Sequence, residues 1–222
     1  MAGLTDLSDL TLDELAIALA PAVADAATFD GWSAEAVNSA AAAEGVDPDV
    51  ARLAYPGGAM DMIAAWIAHT DAAMAAALPP ETLATMKIRE RIRALVWFRL
   101  EAVRGQEEAL RRALAIQAMP QNAARALKGG WHSADVMWRL AGDTATDYNH
   151  YTKRAILASI YGATLIAFLD DDTPDKADTA AFLERRIDGV MRFEKTKAKW
   201  LNPDREHFSM ARFLGRLRYP SR

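Results

Sequence analysis

Four histidines, His69, His132, His150 and His207, supply every imidazole in the chain, and two of them follow an aspartate: Asp147-x-x-His150 and Asp204-x-x-His207. Side chains three residues apart are neighbours on a helix, the arrangement a metal would need. A carboxylate-bridged di-iron bundle asks for more, namely paired Glu-x-x-His motifs and two further glutamates, all projecting inward. Neither pair supplies that set, and His207 falls in a basic segment, so no metal site is expected. The chain has no cysteine, which excludes disulfides, thiolate metal sites and a cysteine nucleophile. It also lacks a nucleophile elbow, a phosphate-binding glycine loop and a dinucleotide fingerprint. These absences give catalysis little support, and no catalytic residue or cofactor is expected.

The polar and aromatic residues Tyr148, Asn149, His150 and Tyr151 head a different kind of stretch, the fifteen uncharged residues Ala155 to Leu169. A helix apolar on every side must be buried in protein or in lipid. Crossing a bilayer takes about 20 predominantly apolar residues, and this run stops at Asp170, Asp171 and Asp172. A buried central helix is the expectation. The head admits two readings. Its rings could pack on neighbours at a helix start, with Asp143 or Asp147 as cap and Lys153 and Arg154 solvated. Together with Met137, Trp138 and Leu140 it equally has the composition of a protein interface.

The elements that must position these residues read as helices throughout. Thr11-Leu-Asp-Glu14 is a capping box, and Leu12, Leu15, Ala16, Leu19 and Val23 follow at helical spacing to about residue 26. Ser33 can cap a second helix to Ala43; Gly45 ends it, and Asp47-Pro48 starts a third. Three short helices with a tight glycine turn outline a helix-turn-helix. Further helices are predicted over about 59–78, 82–104, 107–119 and 131–140, with a break at Gly129-Gly130, then the central helix, and a long helix from Thr173-Pro174 to about Trp200. No alternating strand pattern of useful length occurs. The fold class is all-α, about ten helices: a helix-turn-helix-like region over 1–56, a helical body over 57–201 and an amphipathic helix over 202–222.

Charge is distributed unevenly. Residues 1–80 carry one basic residue, Arg52, against twelve Asp and Glu, whereas residues 195–222 carry eight Lys and Arg against Asp204 and Glu206. Nucleic-acid affinity rests on Lys and Arg contacts to phosphate, so the acidic helix-turn-helix predicts no nucleic-acid binding. The last segment places Phe208, Met210, Phe213, Leu214 and Leu217 against Arg212, Arg216 and Arg218. Such a helix can pack its stripe on the body or lie on an anionic membrane surface. The N-terminus shows neither a signal-peptide nor a transit-peptide pattern, and a bacterial cytoplasmic location is expected.

Asp147-Tyr-Asn-His-Tyr-Thr-Lys-Arg154, followed by Leu157, Tyr161, Thr164, Asp170, Asp172, Thr179, Phe182 and Arg186-Ile187, resembles the signature of the ubiquinone (coenzyme Q) biosynthesis accessory proteins of TetR-regulator-like fold. Gly31-Trp32, Trp131, Asp135, Trp138 and Gly142-Asp143 resemble it too. The resemblance implies a lipid-binding accessory protein, peripheral to the inner membrane, that presents isoprenoid quinone intermediates to the di-iron demethoxyubiquinone hydroxylase. It implies a homodimer and a partner-facing patch at Met137, Leu140, Asp147, His150 and Tyr151, where the family commonly has Trp in place of His150. On this basis Ile92, Leu95, Val96, Ile156, Ile160, Tyr161 and Leu165 are expected to line the lipid cavity. Phe208, Met210, Arg212, Phe213, Leu214, Arg216 and Leu217 are expected to dock on the membrane. A ligand-responsive transcriptional repressor of the same fold is the alternative.

Overall fold

A computed structural model describes residues 7–144 and 148–201; Asp147 and the expected membrane helix over 204–218 lie outside the described residues. Ten α-helices order them: α1 (Leu12–Asp30), α2 (Ala34–Glu44), α3 (Pro48–Leu53), α4 (Ala59–Ala77), α5 (Pro80–Ala84), α6 (Ile88–Glu101), α7 (Glu107–Gln117), α8 (Ala123–Leu140), α9 (Tyr148–Leu169) and α10 (Ala177–Leu201). No strand occurs among the described residues. The all-α expectation holds, and the N-terminal caps form as the sequence predicts. Thr11 Oγ1 accepts from the Glu14 amide at 3.3 Å, and the Glu14 carboxylate accepts from the Thr11 amide at 3.0 Å. Asp47 caps α3 through the Asp49 amide at 2.8 Å. Gly45, at φ 70°, closes α2 in the left-handed conformation that glycine adopts without steric cost.

Met1–Leu183 and Glu184–Arg222 form two compact units. In the first, α1 packs on α2, α4 and α7, and α8 packs on α9 and α4. Leu15, Leu19, Val23, Val37 and Met74 are buried. Trp32 and Trp66 pack at a centroid distance of 5.3 Å. The polar edges of the buried rings are satisfied, as burial demands. Trp32 Nε1 donates to the Ala109 carbonyl at 2.9 Å, and the Tyr55 hydroxyl donates to the Ala16 carbonyl at 2.7 Å.

Four expectations need correction. The helix predicted over 82–104 divides into α5 and α6. Its first turn is re-capped by the Glu90 carboxylate on the Lys87 amide at 3.0 Å, and Arg91 ties the junction down through the Met86, Ala84 and Ala141 carbonyls. Conversely, α8 runs unbroken through Gly129-Gly130. Two interior glycines cost about 2 kcal/mol of helix propensity, and packing on α4, α7 and α9 outweighs it. The central helix α9 is long and apolar enough to cross a membrane by length and composition, yet it buries only one face, through Arg154, Leu157, Ile160, Thr164, Leu165 and Phe168. Tyr151, Ala155, Ser159 and Ile166 are exposed. Ala155 and Ser159 on that open face are small, whereas Tyr151 and Ile166 are 61% and 60% exposed. Finally, Arg154 is not solvated but 1% exposed.

Candidate functional site

α4 and α8 lie side by side and run in the same direction. Near their starts the Asp61 carboxylate accepts from Arg125 and from the Gly57 amide. Burial alone would raise the Asp61 pKa, but Arg125 and the Gly57 amide hold it below its ordinary value. About ten residues further along α4, Asp71 accepts from the Ser133 hydroxyl at 3.3 Å. Between these two ties the helices part around a cavity of about 300 Å³. Its wall is apolar on the α4 side, through Met60, Ile63, Ala64, Ile67 and Ala68. On the α8 side it is lined by Arg125, Lys128, Gly129 and His132, and Gln117 closes it from the end of α7. A side chain added at Gly129 would meet no atom within 4 Å, so the glycine leaves open space beside the cavity.

This arrangement suits an elongated apolar molecule whose polar end can meet hydrogen-bond donors. Pockets that bind small ligands typically begin at about this size and combine apolar walls with a few polar groups. The basic rim was legible in part. Arg125, Lys128 and His132 recur at i, i+3 and i+7, one face of a helix, but a break at Gly129-Gly130 hides that register. Among the described residues, no group of three or more His, Asp or Glu side chains is placed to hold a metal ion.

The seven residues expected to line a lipid cavity do not line this one. Ile92, Leu95 and Val96 on α6 are buried, as are Ile160 and Leu165 on α9, while Ile156 and Tyr161 are half-buried. α6 and α9 are in contact, and none of the seven lines the cavity between α4 and α8. Of the expected partner patch, Met137 is fully enclosed, Leu140 and His150 are half-buried, and Tyr151 is 61% exposed. Tyr151 packs against Trp131 at 6.0 Å and edge-on to His150 at 5.1 Å. The surface there is thus built from α8 and α9 together.

Two buried arginines flank these regions, and the sequence reading missed the role of both. Arg154 Nη1 donates to Asp143 at 3.0 Å and to the His150 carbonyl at 3.1 Å, while its Nε donates to Asp135. It locks the aromatic head of α9 to the end of α8. Arg99, on α6 and 2% exposed, pairs with Asp71, and its Nη2 donates to Ser133 at 3.2 Å. The Tyr161 ring covers the guanidinium at 4.8 Å. Burial alone would lower the arginine pKa, but Tyr161 and Asp71 outweigh it and raise the value. Arg99 Nε has no hydrogen-bond partner. A charged residue at helical spacing reads as a solvated face until the neighbouring helices are placed. In the helix-turn-helix, Arg52 is engaged by Asp49 and by Asn38 at 2.6 Å, leaving Val50 and Leu53 exposed beside the acidic residues.

Comparison with known proteins bears on this geometry. The COQ9 family model matches residues 123–194, which comprise α8, α9 and most of α10. The mitochondrial ubiquinone biosynthesis protein COQ9 of Rattus norvegicus is 32% identical over 173 residues, 75% of this chain and 55% of that protein. Its Homo sapiens counterpart is 31% identical, over 75% of this chain and 54% of that protein. The match thus spans little more than half the length of these relatives. A TetR transcriptional regulator from Nitrosomonas europaea superposes with a TM-score of 0.62 at 21% identity, covering 85% of this chain and all of that one. The expected bacterial cytoplasmic location is overturned by the relatives themselves, which are named as mitochondrial proteins of eukaryotes including rat, human, cattle and fission yeast.

Proposed function

We propose that this chain, similar to COQ9 over residues 123–194 and to a TetR regulator in fold, acts without catalysis of its own as a lipid-binding accessory factor in ubiquinone biosynthesis. In this reading it takes an isoprenoid quinone intermediate into the cavity between α4, α7 and α8 and presents it to the demethoxyubiquinone hydroxylase. The observation that carries the proposal is the cavity itself, about 300 Å³ with an apolar α4 wall and a polar α8 rim, partly built from the helix that the COQ9 family model matches. Burying an isoprenoid tail there would offset its exposure to water at about 25 cal/mol per Å². The bound lipid is the only non-protein component required.

The remaining parts divide the work. Tyr151, His150 and Trp131 offer an aromatic face for the hydroxylase, held rigid from beneath by Arg154. The open face of α9, carrying Ala155, Ser159 and Ile166, suits a second copy of the chain, since small residues let helices approach closely. The basic terminal segment would meet an anionic bilayer. A transcriptional repressor of the same fold is disfavoured, because the one basic residue of the first eighty, Arg52, is already paired with Asp49. Mass spectrometry of lipids co-purifying with the full chain tests the proposal. Isoprenoid quinones or their precursors are the expected result; a preparation holding no apolar ligand would overturn it.

A further inference from the structure

The two walls of the cavity between α4 and α8 differ in chemistry. The α4 wall holds only apolar side chains, whereas α8 contributes Arg125, Lys128 and His132, and no Asp or Glu is among the lining residues. Positions i, i+3 and i+7 fall on one face of a helix, so α8 turns all three toward the same space. Arg125 and Lys128 are like charges at a spacing that weakens a helix. They also stand near the start of α8, whose first turn has no acidic residue, where the positive end of the helix dipole disfavours a cation. Only Arg125 has a counter-ion, the Asp61 carboxylate, which also accepts from the Gly57 amide. Lys128, His132 and Gln117 make no hydrogen bond or ion pair with the described residues. An exposed lysine is ordinarily just solvated. Here it lines a concave surface of one sign of charge faced by an apolar wall, an arrangement that concentrates positive potential.

We propose that this cavity takes an amphiphile with an anionic head, a carboxylate or a phosphate monoester on one apolar tail, and that Lys128 and His132 hold the head. This deepens the lipid-binding reading and rests on it: among isoprenoid ligands it selects one with an acidic head over one whose ring is neutral. Side chains four residues apart on a helix have Cβ atoms about 5–6 Å from each other, close enough for one head group to meet both. Lys128 offers three N–H donors, His132 at least one, and the Gln117 amide can add another. A charged acceptor makes such bonds roughly twice as strong as a neutral one does. A neutral quinone oxygen would leave the excess positive charge uncompensated, whereas an anion removes it. Asp61 does not oppose the anion, because Arg125 and the Gly57 amide already occupy that carboxylate. Gly129 lines the cavity between the two holding residues and has open space where a Cβ would be, so the head can come close to the α8 backbone. The tail then lies on Met60, Ile63, Ala64 and Ile67, out of water.

The test titrates the full chain by calorimetry with three probes of one tail length, decanoate, decyl phosphate and decanol, each below its aggregation concentration. Acetate and inorganic phosphate serve as heads without tails. At low salt at least one decyl anion is expected to bind about tenfold more tightly than decanol, as hydrogen bonds between charged groups outweigh neutral ones, and the tighter anion assigns the head as carboxylate or phosphate. The preference should shrink with added salt, because Lys128 and His132 are exposed. The double variant Lys128→Gln/His132→Gln changes an exposed helix face and should keep the helical content and the affinity for decanol while losing the preference for the anions. Arg139→Gln removes a cation from the same helix outside the cavity and should leave the preference intact. Decanol binding as tightly as both anions in wild type, a preference that survives the double substitution, an equal loss in Arg139→Gln, or tailless anions binding as tightly as their decyl forms would overturn the assignment of the head-group site. Binding of none of the three decyl probes would instead overturn the lipid-binding reading on which it rests.

Discussion

Arg99 and Arg154 have nearly the same burial, 2% and 1% exposed, and opposite degrees of satisfaction. Arg154 meets two carboxylates, Asp135 and Asp143, and a backbone carbonyl. Lys153 adds a second cation on Asp143 at 2.7 Å and lies 5.4 Å from the Trp138 ring, whose Nε1 donates to the Lys153 carbonyl at 2.9 Å. Two carboxylates and a backbone carbonyl thus hold one guanidinium, and such networks specify one arrangement of the helices they join. Arg99 has one carboxylate, one hydroxyl and one aromatic face, and a donor to spare. The difference teaches that two arginines of nearly equal burial can be engaged to different extents, and that the partners supplied by neighbouring helices decide it.

The comparison can be broken most decisively at Arg154. Arg154→Met leaves Asp135 and Asp143 short of their buried cation and is expected to cost about 3–5 kcal/mol of stability, read by urea unfolding followed by circular dichroism. A loss below about 1 kcal/mol would mean that the network behaves like a surface pair. Ser133→Ala strips one acceptor from Arg99 and one donor from Asp71, and the same measurement should show a loss of about 1–3 kcal/mol. Gly129→Ala is expected to stabilise by up to about 1 kcal/mol, because the position has helical neighbours and open space for a methyl group. If it weakens binding of an apolar ligand at the same time, the space beside the cavity belongs to the ligand.

Asp171 offers the smallest and most condition-dependent contrast, a buried acid held by neutral donors. Burial would raise its pKa, but the hydroxyls and amides of Thr173 and Thr179 hold it well below the ordinary 3.8. A depressed folded pKa gives stability that is fully present above the unfolded value and is lost as pH falls below it. Asp171→Asn should therefore lower the melting temperature at neutral pH, with the gap to wild type closing as pH falls below about 4. A gap independent of pH would show that the hydrogen bonds do not depend on the charge.

Much of the local structure was readable because its causes are local. Thr11-Leu-Asp-Glu14, Ser33 and Asp47-Pro48 each start a helix with groups only a few residues apart, and each does so in the structure. Gly129-Gly130 misled for the complementary reason: a propensity penalty counts when a helix stands alone, and α8 is held on several sides. The lipid-lining expectation followed the longest uncharged run, which is a statement about composition. Which face of α9 is covered, and where α4 and α8 part, depends on the packing of four helices and has no signature in any one of them.

By itself the sequence determined the helical class, the order and caps of the N-terminal helices, the acidic character of the first eighty residues, and the likeness to COQ9 carried by residues 147–187. These follow from short-range hydrogen bonding, side-chain periodicity and charge. Only the tertiary structure decided that Arg99 and Arg154 are buried, that their partners come from different helices, and that a cavity opens beside Arg125, Lys128 and His132. Burial is a property of neighbours brought together across dozens of residues, and a charged side chain carries no mark of it until those neighbours are in place.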